Sequence, residues 1–277
     1  MMRCPTILVA VLILAGCSAQ PGVAPVALRS VDAAAHVPDF ARKPYVPFSR
    51  IEAVAIAQRE WRLFGQPIDD DPPDTRPQPL PDQKPERMPG LWERVGEYWW
   101  LGMDADRPEA AWTGKHDAFG YEFPASQDGL YAWSAAFVSY VMRSAGAGGR
   151  FPYSPSHATY INIARQQSLG QTGGWLVSAE APDAYAPLPG DIVCAGRDTA
   201  ARLRFDSLPT SGGFPAHCAI VVAIDPGQIT IIGGNVDDAV TATHVPVTAD
   251  GRLAMPGGDP VDTRYHWFVV LRVLYDQ

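Results

Sequence analysis

Between residues 129 and 146 the chain reads GLYAWSAAFVSYVMRSAG, and Trp133, Ala136, Phe137, Tyr140 and Val141 recur at three- and four-residue spacing. That spacing predicts a helix with one apolar face. Asp128 and Gly129 suit a turn before it, and Gly146 suits a stop, because glycine takes the left-handed conformation that ends helices. Ser49–Phe64 predicts an earlier helix, with Ser49 and Glu52 as a capping box and Gly65 closing it. Leu91–Leu101 predicts another, with Trp92, Val95 and Trp99 on one side and Trp100 at its margin. We read these aromatics as core. A fourth helix is expected from about Ser156 to Gln167, capped by Ser156.

The pattern then changes period. Pro189-Gly190-Asp191 is a turn running into the apolar stretch Ile192-Val193-Cys194, and His217 opens a strand over Cys218–Ile224. Asp225-Pro226-Gly227-Gln228 has turn chemistry, Gln228–Ile232 is rich in β-branched residues, and Gly233-Gly234-Asn235 follows. This predicts a hairpin. With Ile224 opposite Ile229, its register places His217 beside Asn235 and Val236. A closing strand, about Tyr265–Leu274, is apolar enough to be central. Ala195–Ala216 reads as a long polar loop carrying Arg197, Arg202, Arg204 and Asp206, and Trp112–Pro124 as a rim loop carrying His116 and Asp117.

Met1–Gly16 has the form of an export signal, with Arg3 as the positive start and Thr6–Ala15 as an apolar run too short for a permanent membrane span. Leu14-Ala15-Gly16-Cys17 resembles the lipobox of bacterial lipoproteins, in which the cysteine is lipidated and becomes the first residue after cleavage. Ser18, in place of an aspartate, implies transport to the outer membrane. The expected organisation is a signal over 1–16, a tether over 17–48, a helix plus proline-rich linker or extended wrap over 49–90, and one domain over 91–277. At 277 residues, one large domain with extensions fits the length. The 27 prolines, many of them before residue 91, make the N-terminal third less compact, and a net charge of −8 argues against nucleic acid as a partner. Cys194 and Cys218 remain for an oxidising compartment, as a disulfide or as two buried thiols.

Candidate chemistry starts at Ser134. It lies in the first turn of its helix, where N–H groups lack intrahelical partners and the dipole favours negative charge. A thiol there would ionise easily; a serine gains far less and is, taken alone, most often a cap. His157 falls in the first turn of the next helix, where the dipole disfavours an imidazolium. It is therefore neutral and hydrogen-bonded, or else works on the substrate side. His217 at a strand start, beside Asn235 on the partner strand, has the arrangement in which a third group orients an imidazole. His116, His157, His217, His244 and His266 show no ligand spacing, so no metal and no cofactor is expected.

The chain order resembles that of the papain-like bacterial cell-wall hydrolases of the NlpC and CHAP type. It runs from a helix-start nucleophile to a Pro-Gly-Asp-Ile-Val strand, a His-x-Ala-Ile-Val-Val strand and a Gly-Asn after the next strand. Their Trp-Cys-Ala-Ala-Phe-Val-Ser motif is here Trp133-Ser134-Ala135-Ala136-Phe137-Val138-Ser139. The blocks RVGEYWWLG, WTGKHDAFG, WSAAFVSYVMRSAGA, FPYSPSHATYI and FPAHCAIVV are similar to a bacterial family catalogued as domain of unknown function 2272, over roughly residues 91 to 275. The resemblance implies an α+β fold, with an antiparallel sheet packed on the Ser134 helix behind a helical and proline-rich N-terminal extension. It makes Ser134 the nucleophile and His217 the general base, which Asn235 can orient as an asparagine does in papain-like proteases; Trp133 and His157 are the candidate substrate-side residues.

Two departures stand out: serine replaces cysteine, and Gly233-Gly234-Asn235 lacks the acid that CHAP proteins carry. Two functions follow. One is a peptidoglycan peptidase or amidase, anchored through Cys17 on the periplasmic side of the outer membrane. The other is an inactive module on the same fold that binds peptidoglycan or protein.

Overall fold

Ser49 Oγ accepts a hydrogen bond from the Glu52 N–H at 3.4 Å, and the helix it caps, α1, spans Arg50–Leu63. The computed structural model describes residues 47–72, 75, 79–103, 125 and 131–276. The expected export signal, Cys17, the tether up to residue 46, the rim loop 112–124 and the turn at 128–129 lie outside the described residues. Among the described residues, no helix is long and apolar enough to cross a membrane.

Helix α2, Leu91–Gly102, buries Val95, Tyr98, Trp99 and Gly102. Val95 and Trp99 of the expected aromatic side are buried and Trp92 is half-buried, while Trp100 is 65% exposed and Tyr98 joins the buried row. At Gly102 a Cβ would sit 2.6 Å from the Ala136 carbonyl oxygen, so the next helix approaches closely there. Helix α3, Ser134–Ser144, is buried all round from Ser134 to Met142 rather than along one face. It packs on α2 and α1 and on two strands, so it is a central element. Helix α4, His157–Ser168, begins after Ser156, whose side chain makes no capping bond.

Six strands follow: β1 Val177–Glu180, β2 Ile192–Gly196, β3 Ala216–Asp225, β4 Gln228–Val236, β5 Ala239–Pro246 and β6 Trp267–Val273. They form one open antiparallel sheet in the order β1-β6-β2-β3-β4-β5. The chain is thus α+β, four helices followed by a six-stranded sheet. β6 lies inside the sheet, as its apolarity predicts, while β1 and β5 are additions to the expected strands. The edge of β5 is covered by the proline-rich stretch: Asp69 N–H donates to the Ala242 carbonyl at 2.9 Å and Ala242 N–H to that of Pro67 at 3.0 Å. That stretch is therefore in part an extended wrap, which blunts an edge that would otherwise invite pairing.

The two faces of the sheet bury different things. Cys218, Ile220, Ile232 and Leu271 join the helices in the main core, whereas Val193, Ala219, Val221 and Ile231 form a second cluster with Leu253 and Trp267. Cys194 and Cys218 stand opposite one another on β2 and β3 with their Cα atoms 4.1 Å apart, joined as a disulfide. Polar groups tie the layers together. The buried Asp191 carboxylate accepts from the Tyr185 hydroxyl at 2.8 Å, Leu188 N–H at 2.9 Å and Val273 N–H at 3.1 Å. The Pro-Gly-Asp turn thus anchors β2 to the end of β6.

Candidate functional site

Ser139 brings the site together. It is fully buried on α3, and its hydroxyl accepts from Ser154 N–H and donates to the Ser154 carbonyl, both at 3.4 Å. Ser154 Oγ in turn accepts from Ser156 N–H at 3.1 Å and donates to Thr159 Oγ1 at 2.9 Å. The Ser154-Pro155-Ser156 turn is thus fastened to the side of α3, and α4 starts where α3 starts. Two helix N-termini converge, and with them Ser134 and His157.

Ser134 Oγ lies 2.7 Å from His157 Nε2. The other ring nitrogen, Nδ1, is hydrogen-bonded to the Tyr160 hydroxyl, one turn further along α4. All three side chains are inside the protein: Ser134 is 4%, His157 5% and Tyr160 0% exposed. Burial, reinforced by the charge of Arg197, pulls the His157 ring down to about 3, so the imidazole is neutral at physiological pH. Burial likewise raises the Tyr160 phenol well above its ordinary value. The first intrahelical bond of α3 runs from Phe137 N–H to the Trp133 carbonyl, at 2.9 Å. The N–H groups of residues 134 to 136 lie ahead of that bond, at the positive end of the dipole.

The other expected site residues fall elsewhere. Ile224 pairs with Ile229, and a bulge between Val221 and Ala223 moves the register to Ile220↔Ile232, the last β3–β4 pair, which continued would set His217 opposite Asn235. His217 lies beyond that last pair. Its ring stands over Gly233, where a Cβ would come within 2.7 Å of Nε2. It shares the sheet face of Ala219, whereas Gly234 faces α3, where a Cβ would meet Phe137 and Trp133. The imidazole within hydrogen-bond distance of Ser134 is that of His157, and the His157 and His217 ring centroids are 5.8 Å apart. Asn235 occupies a bulge between β4 and β5 with φ +59, and no hydrogen bond joins it to His217 among the described residues. Trp133 is 2% exposed, and its indole N–H donates to the buried Glu86 carboxylate at 2.6 Å.

His217 and Arg197 line a small cavity of about 30 Å³ together with Thr243, Tyr265 and Trp267. It has room for about one water. Among the described residues, no cluster of three or more His, Cys, Asp or Glu side chains could hold a metal. Tyr160 is the site residue that sequence reasoning missed. The available signal was its place three residues after His157 on one helix, since residues at that spacing share a face.

What assembles here is a hydroxyl, a neutral imidazole and a second hydroxyl in series, at a helix N-terminus able to receive negative charge. Neither a curated protein nor a solved structure matches the chain. Residues 86–273, which hold all of these groups, match the profile of a family described as an uncharacterized protein conserved in bacteria, DUF2272. The chain belongs to that family.

Proposed function

We propose that this protein is a cell-envelope hydrolase of papain-like type that acts on peptide or amide bonds of peptidoglycan, with Ser134 as nucleophile. The observation that carries the reading is the 2.7 Å contact between Ser134 Oγ and His157 Nε2 at the start of α3. A serine becomes a nucleophile when an imidazole can manage its proton. Here His157 touches it and His217 stands behind His157. The N–H groups of residues 134 to 136 supply donors for the oxyanion. A nucleophile-bearing helix packed on an antiparallel sheet supports the papain-like reading, although His217 sits on the other sheet face. The lipobox-like Leu14-Ala15-Gly16-Cys17 supports a lipid anchor at Cys17 on the periplasmic side of the outer membrane, beside the wall.

A second reading has its own observation. Ser134 and His157 are 4% and 5% exposed, which suits a binding module whose chemistry is silent. The full-length chain, incubated with purified peptidoglycan sacculi, separates the two. Wild type is expected to release fragments whose masses name the bond, and Ser134→Ala to release none, a loss of at least about 10³-fold. Cutting by Ser134→Cys alone, or sedimentation with sacculi without cutting, would instead establish the binding module.

A further inference from the structure

Two hydrogen bonds run from Ser134 through His157 to Tyr160. A neutral imidazole brings one N–H to this chain, and each hydroxyl brings one proton. Among the described residues, His157 is the hydrogen-bond partner of both hydroxyls and neither has another. Three protons thus meet two bonds, and one hydroxyl proton is left over. Tyr160 and Ser134 are both buried, at 0% and 4% exposed, so burial does not choose between them. A phenol is a stronger donor and a weaker acceptor than an alkanol. The stronger donor takes the imidazole lone pair, which assigns the surplus proton to the serine.

We propose that Tyr160 is a positioning residue that keeps the site at rest. Its O–H donates to His157 Nδ1, which fixes the ring proton on Nε2 and directs it at the Ser134 oxygen. In this state Ser134 is held as an acceptor, and His157 has no lone pair with which to take its proton. The site becomes reactive when the Tyr160 hydroxyl turns away and the ring proton moves to Nδ1. The location of the proton is independent of any activity, while the consequence for reactivity rests on Ser134 being a nucleophile.

The test is ¹⁵N NMR of the full-length chain labelled at histidine, with His157→Gln identifying the His157 signals. Wild type is expected to show His157 protonated at Nε2 and bare at Nδ1. Tyr160→Phe removes the donor and is expected to give a mixture of tautomers. Labelling of Ser134 by a fluorophosphonate probe is then expected to rise about fivefold, the population shift that one ordinary hydrogen bond carries. A wild-type ring protonated at Nδ1 overturns the proposal, and that spectrum decides even if Tyr160→Phe does not fold. Mixed tautomers with unchanged or slower labelling overturn the resting role. A wild-type ring protonated at Nε2, with no labelling of either protein, upholds the placement of the proton and defeats the hydrolase reading instead.

Discussion

Two buried polar clusters flank α3, and they are built on opposite principles. On the α1–α2 side lies Glu60, 0% exposed, whose carboxylate accepts from Arg94 Nε at 2.6 Å, Arg94 Nη2 at 2.6 Å, Arg59 Nη2 at 2.7 Å and the Tyr98 hydroxyl at 2.8 Å. Tyr140 of α3 adds its hydroxyl at 3.3 Å. On the α4 side lies the Ser134–His157–Tyr160 series, without a formal charge and with two hydrogen bonds in all. The first cluster oversatisfies one charge; the second leaves a proton to spare. A saturated network has one arrangement and holds three helices in register, whereas an undersatisfied one keeps alternatives open, as chemistry requires.

The contrast is broken most severely at Glu60. Glu60→Ala leaves the Arg94 guanidinium, 19% exposed, without its main partner. Removing one member of a buried ion pair costs about 3–5 kcal/mol. We expect a loss of that size in urea unfolding of the full-length chain. A loss below about 1 kcal/mol, the range of an exposed pair, would mean that the cluster is ornament rather than a fastener.

Acid separates the two clusters along the pH axis. Burial and the Arg197 charge hold His157 at about 3, while the unfolded ring takes up its proton near 6.5. Between these values the unfolded chain binds the extra proton, so stability falls as pH falls, by about 1.4 kcal/mol per pH unit. Burial pushes the Glu60 carboxyl up, but the hydrogen bonds from Arg94, Arg59 and Tyr98 outweigh it and hold the group below the ordinary carboxylate range. Its contribution is therefore present above that range and is lost as pH falls through the lower folded value. His266, which burial and Arg204 also pull down, shares the upper window. The diagnostic is the difference between wild type and His157→Gln: the variant is expected to lose most of the slope between about pH 6.5 and pH 4.5 and to keep the acid limb that Glu60 governs. Equal slopes would show that the His157 ring is solvated.

How much of this was legible beforehand follows the range of the interactions. Ser49 capping α1, the extent of α2, the Ile224↔Ile229 pairing and the position of His157 in the first turn of its helix are set within a few residues, and each was readable. β1 has four residues, too few to show a period, and β5 is buried on both faces and paired along its edge by the Pro67–Asp69 stretch, so its alternation is blurred. The bulge between Val221 and Ala223 moves the extrapolated partner of His217 from Val236 to Asn235, so that neighbourhood was readable, whereas the second bulge, which takes Asn235 out of the β4–β5 ladder, was not. The Ser134–His157 contact joins residues 23 apart and exists because Ser139 fastens the Ser154 turn to α3. No local pattern encodes such a contact; it follows from packing.

The smallest effect is the sharpest check on the comparison. Ser134→Ala deletes a hydroxyl from a residue almost as buried as Glu60, at 4% against 0% exposed. Burial alone would therefore predict similar costs. Charge and partner number predict otherwise: the variant loses one hydrogen bond, leaves one buried but uncharged imidazole nitrogen unpaired, and keeps the apolar packing of the β-carbon. That amounts to about 1–2 kcal/mol. A midpoint shift of this size, beside the larger loss in Glu60→Ala, would mark Ser134 as a residue whose place in the chain owes little to stability. A loss of about 3 kcal/mol or more would place it in a structural network like that of Glu60, and the two flanks of α3 would then serve one purpose.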